Sequence, residues 1–125
     1  MTQKLVIASR NNHKIEEMRR ILEQGGLDIE LVGTAKFPNL PDVEETGATF
    51  AANALLKARA VSEFTGLPTV GDDSGLCVDA LNGMPGILSA RWSGTHGNDR
   101  ANLELILAQI SQVPIDRRGA SFVCA

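Results

Sequence analysis

The chain has 125 residues, 43% hydrophobic and 22% charged, an ordinary globular composition whose length sets the expectation of one domain over residues 1–125. Twelve Lys and Arg against fifteen Asp and Glu leave a net charge of -3, and no basic run is long enough to follow a nucleic-acid backbone, so nucleic acid is not an expected partner. The apolar run after Met1 is only Leu5, Val6, Ile7 and Ala8, far short of a secretory or membrane-spanning segment, which reads as a cytoplasmic protein without a membrane partner.

Residues Lys4–Ser9 form a short β-branched run and predict a strand. Asn11–Gln24 follows with Ile15, Met18, Ile21 and Leu22 at helical spacing, and Gly25-Gly26 ends it. Asp28–Gly33 reads as a second strand, and Phe37–Gly47, with two prolines and Asp42, Glu44 and Glu45, as a loop. Thr49–Phe64 is rich in Ala and Leu and predicts a helix with Phe50, Ala54, Ala58 and Val61 on one face. Pro68–Gly71 begins another strand that runs into Asp72-Asp73-Ser74-Gly75, and Leu76–Leu81 alternates as a further one. A Gly-Met-Pro-Gly turn spans Gly83–Gly86. Asp99 is placed to cap a helix over Arg100–Ser111 whose Leu103, Ile106, Leu107 and Ile110 form an apolar stripe. Ala120–Ala125 closes the chain as a strand that is apolar on both sides of its pleat, as strands buried in a sheet are. Cys77 and Cys124 lie in such segments and read as buried free thiols. Strand and helix patterns alternate throughout, giving an α/β class with a partly parallel sheet.

A chain stopping inside an apolar strand reads as the front part of something longer, and this edge is expected to pair with another copy or partner.

Three constellations have chemical potential. Ser9, Arg10, Asn11, Asn12, His13 and Lys14 stand where the first strand turns into a helix, a place where α/β sheets collect ligands and where backbone N–H groups, a Lys and two Asn suit phosphate oxygens. The competing reading is a capped helix with a solvated Lys, and the segment lacks the glycines of a P-loop or dinucleotide fingerprint. Asp72 and Asp73 lie at a strand end between glycines. Because side chains alternate, one of them enters a given cleft and the other braces the turn; the first could hold magnesium or orient a water. The acidic loop at Glu44-Glu45 precedes Asn53 and Lys57 at i, i+4 on one helix face, where Lys57 could reach a phosphate, although a solvated loop and face would look the same. His13 and His96 have no partner at ligand spacing, which argues against zinc. Arg91 and Trp92 could line a base or phosphate pocket, an arrangement also common in ordinary packing.

Ser9-x-Asn11-x-x-Lys14, Glu44-Glu45-Thr46-Gly47, Ala54-Leu-Leu-Lys-Ala-Arg59, Asp72-Asp-Ser-Gly-Leu76 and Gly83-x-Pro-Gly-x-x-Ser-Ala-Arg91 form one ordered set that resembles the inosine triphosphate pyrophosphatase family. The resemblance implies an elongated mixed β-sheet flanked by helices, a nucleotide cleft at strand ends between two lobes, a homodimer, and magnesium-dependent hydrolysis of deaminated purine nucleoside triphosphates to monophosphate and pyrophosphate. It assigns Ser9 to Lys14 to the triphosphate, Asp73 to general-base and magnesium-ligand roles, Ser74 to a substrate contact, Glu45 to magnesium and Lys57 to phosphate. Family members continue with an F-G-Y-D-like segment, a later Lys and an S-H-R motif that do not occur here. The C-terminal portion of the family fold is therefore expected to be missing, and the base pocket with it, so this chain is expected to be poorly active and to bind nucleotide weakly and without regard to the base. Two rivals stand beside this reading: a septum-type nucleotide pyrophosphatase, disfavoured by Asn11-Asn12-His13-Lys14, and a non-catalytic nucleotide-binding module.

Overall fold

Parallel pairing organises the first half of the chain. The computed structural model describes residues 2–125, and in it β1 (Gln3–Ile7) lies between β2 (Ile29–Gly33) and the two-residue β3 (Thr69–Val70), giving the order β2-β1-β3 with both pairings parallel. Val6, Ile7 and Ala8 are 0%, 3% and 6% exposed, so both faces of this central strand are covered, which is why it reads as an unbroken apolar run. Its alternation splits the core in two. Val6 and Ala8 pack with Leu40 and Val61, bordered by Phe37 and Leu67, whereas Ile7 packs with Ile15 and Leu31, bordered by Leu5, Met18, Leu22 and Val70.

Helix α1 (Asn12–Gln24) thus covers one face and α2 (Phe50–Thr65) the other. Ile15, Met18 and Leu22 form the inner stripe of α1, but Ile21, expected with them, is 58% exposed. On α2 the buried positions are Asn53, Ala54 and Val61, with Ala58 half-buried. Small residues are needed there because the chain after β3 runs hard against the helix: a Cβ on Gly71 would stand 2.4 Å from the Ala54 carbonyl oxygen.

These elements belong to one of two compact units, Met1–Gly47 with Ala51–Asp72; the other comprises Ala48–Phe50 with Asp73–Ala125. In the second unit β4 (Ser74–Val78) pairs antiparallel with β5 (Ala120–Cys124), from Ser74 opposite Cys124 to Val78 opposite Ala120. Its core is Val78, Ile106 and Ile110, bordered by Leu76, Leu81, Trp92 and Val113. The architecture is mixed α/β, with a parallel three-stranded and an antiparallel two-stranded sheet.

Several expectations need correction in this unit. The predicted Leu76–Leu81 strand begins earlier and stops at Val78; Asp79–Leu81 is a 3-10 turn closed by Asn82 at φ 55, because Asn tolerates the left-handed region. Helix α3 (Asp99–Gln109) is capped by Asn98, whose side chain accepts the Ala101 N–H at 3.1 Å, and Asp99 falls inside the first turn. Its inner face is Asn102, Ile106 and Ile110, while Leu103 and Leu107 are 52% and 51% exposed. Asn102 tolerates burial because both ends of its amide are used: Oδ1 accepts the Ser93 N–H at 2.8 Å and Nδ2 donates to the Ala90 carbonyl at 3.0 Å. Every residue of β5 is exposed, Phe122 to 74%, an apolar edge as expected for this strand in this chain. Both cysteines are free as expected, but Cys124 is exposed and Cys77 half-buried. Among the described residues no helix is long and apolar enough to cross a membrane.

Candidate functional site

In the parallel sheet Ile7, Gly33 and Val70 stand side by side at the carboxyl ends of their strands. Whatever follows them in sequence therefore gathers along one edge, the edge where open α/β sheets place their ligands. After β1 this is the Ser9–Lys14 segment, and after β3 it is Gly71-Asp72. The turn is tied down on both sides: Ala8 N–H donates to the Val70 carbonyl at 2.9 Å, and the Thr34 hydroxyl donates to the Ser9 carbonyl at 3.1 Å.

Within the segment, part of the polar inventory is spent on making the helix start. Ser9 Oγ accepts the Asn11 N–H at 3.1 Å, and Asn11 Oδ1 accepts the N–H groups of His13 at 3.0 Å and Lys14 at 3.4 Å. Asn11 is thus the N-cap, and two donors of the kind a phosphate takes are satisfied internally. The side chains of Asn12 and His13 are exposed, and Arg10 forms a solvent-facing ion pair with Asp42 at 2.9 Å. Lys14 differs. Its Nζ lies 2.6 Å from Asp72 Oδ2, with the two side chains 37% and 23% exposed, which brings the loops after β1 and β3 together.

A second pair forms on the same unit between the acidic loop and α2. Lys57 Nζ lies 3.2 Å from Glu45 Oε1, with side chains 21% and 29% exposed. Each candidate phosphate-binding lysine is therefore ordered by a carboxylate, a compact cation held at a fixed place.

The two adjacent aspartates fall in different units. Asp72 ends the first unit and braces Lys14. Asp73 opens the main segment of the second, is 7% exposed, and exchanges backbone hydrogen bonds with Ala125, N–H to carbonyl in both directions at 2.9 Å. Ser74 follows, half-buried, as the first residue of β4. Behind it the strand is fixed by Ser89, whose Oγ accepts the Leu76 N–H at 3.0 Å and donates to the Gly86 carbonyl at 2.6 Å.

Sequence reasoning missed Asp72 as the partner of Lys14, since no local pattern connects residues 58 positions apart. It also gave Asn53 no role, although an Asn inside a helix that carries the Ala-rich face was a visible anomaly. Trp92 takes the ordinary reading: its ring borders the Val78 core and Nε1 donates to Gln109 Oε1 at 2.8 Å. His13 and His96 are both exposed, in keeping with the absence of a zinc pattern.

Comparison with known proteins converges on one family. The model of the Ham1 family matches residues 5–125. A dITP/XTP pyrophosphatase of Streptomyces coelicolor is 61% identical over 122 residues, covering 98% of this chain and 61% of the relative. Among solved structures, a nucleoside-triphosphatase named dITP/XTP pyrophosphatase from Mycobacterium abscessus superposes with a TM-score of 0.82 at 55% identity, covering 98% of this chain and 63% of the other. A HAM1 protein from Coxiella burnetii gives a TM-score of 0.87 at 39% identity, with 98% and 61% covered. The chain thus spans about three-fifths of the length of these relatives.

Proposed function

Because the chain belongs to the Ham1 family, we propose that it serves the hydrolysis of non-standard purine nucleoside triphosphates, those of inosine and xanthosine and their deoxy forms, to monophosphate and pyrophosphate. The names carried by its relatives support the reaction class. The observation that bears most weight is the Lys14–Asp72 contact of 2.6 Å, which puts an ordered cation at the carboxyl edge of the parallel sheet beside the start of a helix.

In this reading Lys14 and Lys57 take phosphate oxygens, with Ser9, Arg10, Asn12 and His13 around the triphosphate. Asn11 acts through the helix start that it caps, and Ser74 contacts substrate. Asp73 is the general base that orients and deprotonates the attacking water. Magnesium is the cofactor, with Glu45 and Asp73 as its protein ligands. The donor chemistry fits, since both are hard carboxylates. That suits an ion that takes one or two carboxylates and fills its shell from phosphate and water. When bound, magnesium neutralises charge on the phosphate oxygens. The reading carries with it a small-molecule nucleotide partner, a homodimeric assembly and a cytoplasmic location.

The test is pyrophosphate release from inosine triphosphate with magnesium, run beside adenosine triphosphate. Slow release with little preference between the two substrates is expected; binding without release would instead make this a nucleotide-binding module. Lys14→Ala is expected to weaken triphosphate binding by about 1.5 to 3 kcal/mol, the range for hydrogen bonds to charged groups, as read by calorimetry. Its thermal stability should scarcely move, because a partly exposed ion pair contributes about 1 kcal/mol or less. Equal nucleotide affinity in variant and parent would remove Lys14 from the site.

A further inference from the structure

Asn53 is wholly buried, at 0% exposure, in the first half of α2. Asn is a poor helix former, because its amide competes with the backbone for hydrogen bonds, and burial of an amide is unfavourable unless the amide is used. One end is used: Oδ1 accepts the Gly47 N–H at 2.7 Å. The other, Nδ2, is buried and has no hydrogen-bond partner among the described residues. An Ala here would fold the helix more cheaply, so the hydrogen bond to Gly47 needs an explanation beyond helix formation.

The register supplies one. Glu45 and Gly47 are two apart along the loop, and Asn53 and Lys57 are four apart along the helix, which places the helix pair on one face. The loop and the helix are joined by two rungs, Gly47 to Asn53 at 2.7 Å and Glu45 to Lys57 at 3.2 Å. The rungs differ in kind. The outer one is a partly exposed ion pair between two groups that are proposed to turn to magnesium and phosphate, so it must open when the site fills. The inner one is a part-buried, uncharged hydrogen bond between a backbone N–H and the buried Asn53 amide. Gly47 fits it closely, since a Cβ there would stand 2.6 Å from Asn53 Oδ1 and 2.8 Å from the Ala52 Cβ.

We propose that Asn53 is a positioning residue that holds the Glu45 loop against α2 and so keeps the Glu45 carboxylate in place for a divalent cation once Lys57 has let it go. This rests on the reading of Glu45 as a magnesium ligand. The step involves no covalent change.

Manganese titration of the full chain, followed by electron paramagnetic resonance, tests it alongside amide exchange at Gly47. Asn53→Ala is expected to speed Gly47 exchange and weaken manganese binding by about tenfold each, the worth of one hydrogen bond. Gly47→Ala should weaken manganese binding similarly from the loop side, which keeps the test decisive if Asn53→Ala does not fold. Asn53→Asp, which retains an acceptor for Gly47, should restore the slow exchange. If Glu45→Gln weakens manganese binding but neither Asn53→Ala nor Gly47→Ala does, Asn53 is merely structural and the proposal is overturned. If Glu45→Gln binds manganese as the parent does, or the parent binds none, the assignment of Glu45 is wrong and the role of Asn53 falls with it.

Discussion

Replacing Asp73 by Asn is expected to lower the turnover of pyrophosphate release by about 10² to 10⁴-fold, the usual worth of a positioned acid-base group. The substitution keeps size and shape at a position that is 7% exposed, so the backbone exchange with Ala125 and the start of β4 stay as they are. What is lost is the ability to take a proton from water and to offer a charged oxygen to a cation. Steady-state kinetics with inosine triphosphate reads the loss, and a thermal melt run in parallel shows whether the fold has been kept. The complementary change, Asp72→Asn, removes the ionic partner of Lys14 but no general base, and should fall far short of this effect. Equal losses at the two positions would mean that the catalytic role has been given to the wrong aspartate.

Gly75→Ala should cost the second unit its stability. A Cβ at Gly75 would stand 2.3 Å from the Gly86 carbonyl oxygen, 2.7 Å from Ser89 Oγ and 3.0 Å from Phe50 Cε1. None of these can give way cheaply. The first is backbone, and the second is the hydroxyl that ties Leu76 to Gly86 by hydrogen bonds of 3.0 and 2.6 Å. Overpacking of this kind costs about 1 to 3 kcal/mol, and the strained Ser89 bonds push it to the upper end. The expected result is a fall in Tm of roughly 5 to 15 °C by calorimetry, and a shift below about 2 °C would show that β4 has more room than its neighbours suggest.

The parts of this molecule that were legible in the sequence are those governed by local rules. The apolar run of β1 and the spacing of Ile15, Met18 and Leu22 were readable because a strand covered on both faces and a helix covered on one leave different periods. The start of α3 was misplaced by one residue because Asn98 and Asp99 are both capping residues, and only the geometry chooses between them. Its inner face was misread for a different reason. A hydropathy pattern puts Asn outside, yet Asn102 is buried because the 90–93 turn supplies partners for both ends of its amide. At the candidate site the loop after β1 was found from its composition and place. Its partner was not, because Asp72 meets Lys14 only through the parallel pairing of β1 with β3.

On the proposed reading, the engagement of both lysines gives the uptake of a polyphosphate a particular form. The cations on offer are already engaged, Lys14 with Asp72 and Lys57 with Glu45. An arriving anion therefore takes each lysine from a carboxylate instead of meeting a bare positive charge, and the contact formed is offset by the one broken. Every exchange also leaves behind an acid that has lost its counterion. On the proposed reading the Lys57–Glu45 pair is a double-displacement device: the more fully Lys57 turns to an anion, the more strongly the vacated Glu45 favours a cation. By reciprocity the cation must favour the anion to the same degree. A carboxylate that holds a lysine, Glu45, would thereby couple the affinity for the anion to the affinity for the cation.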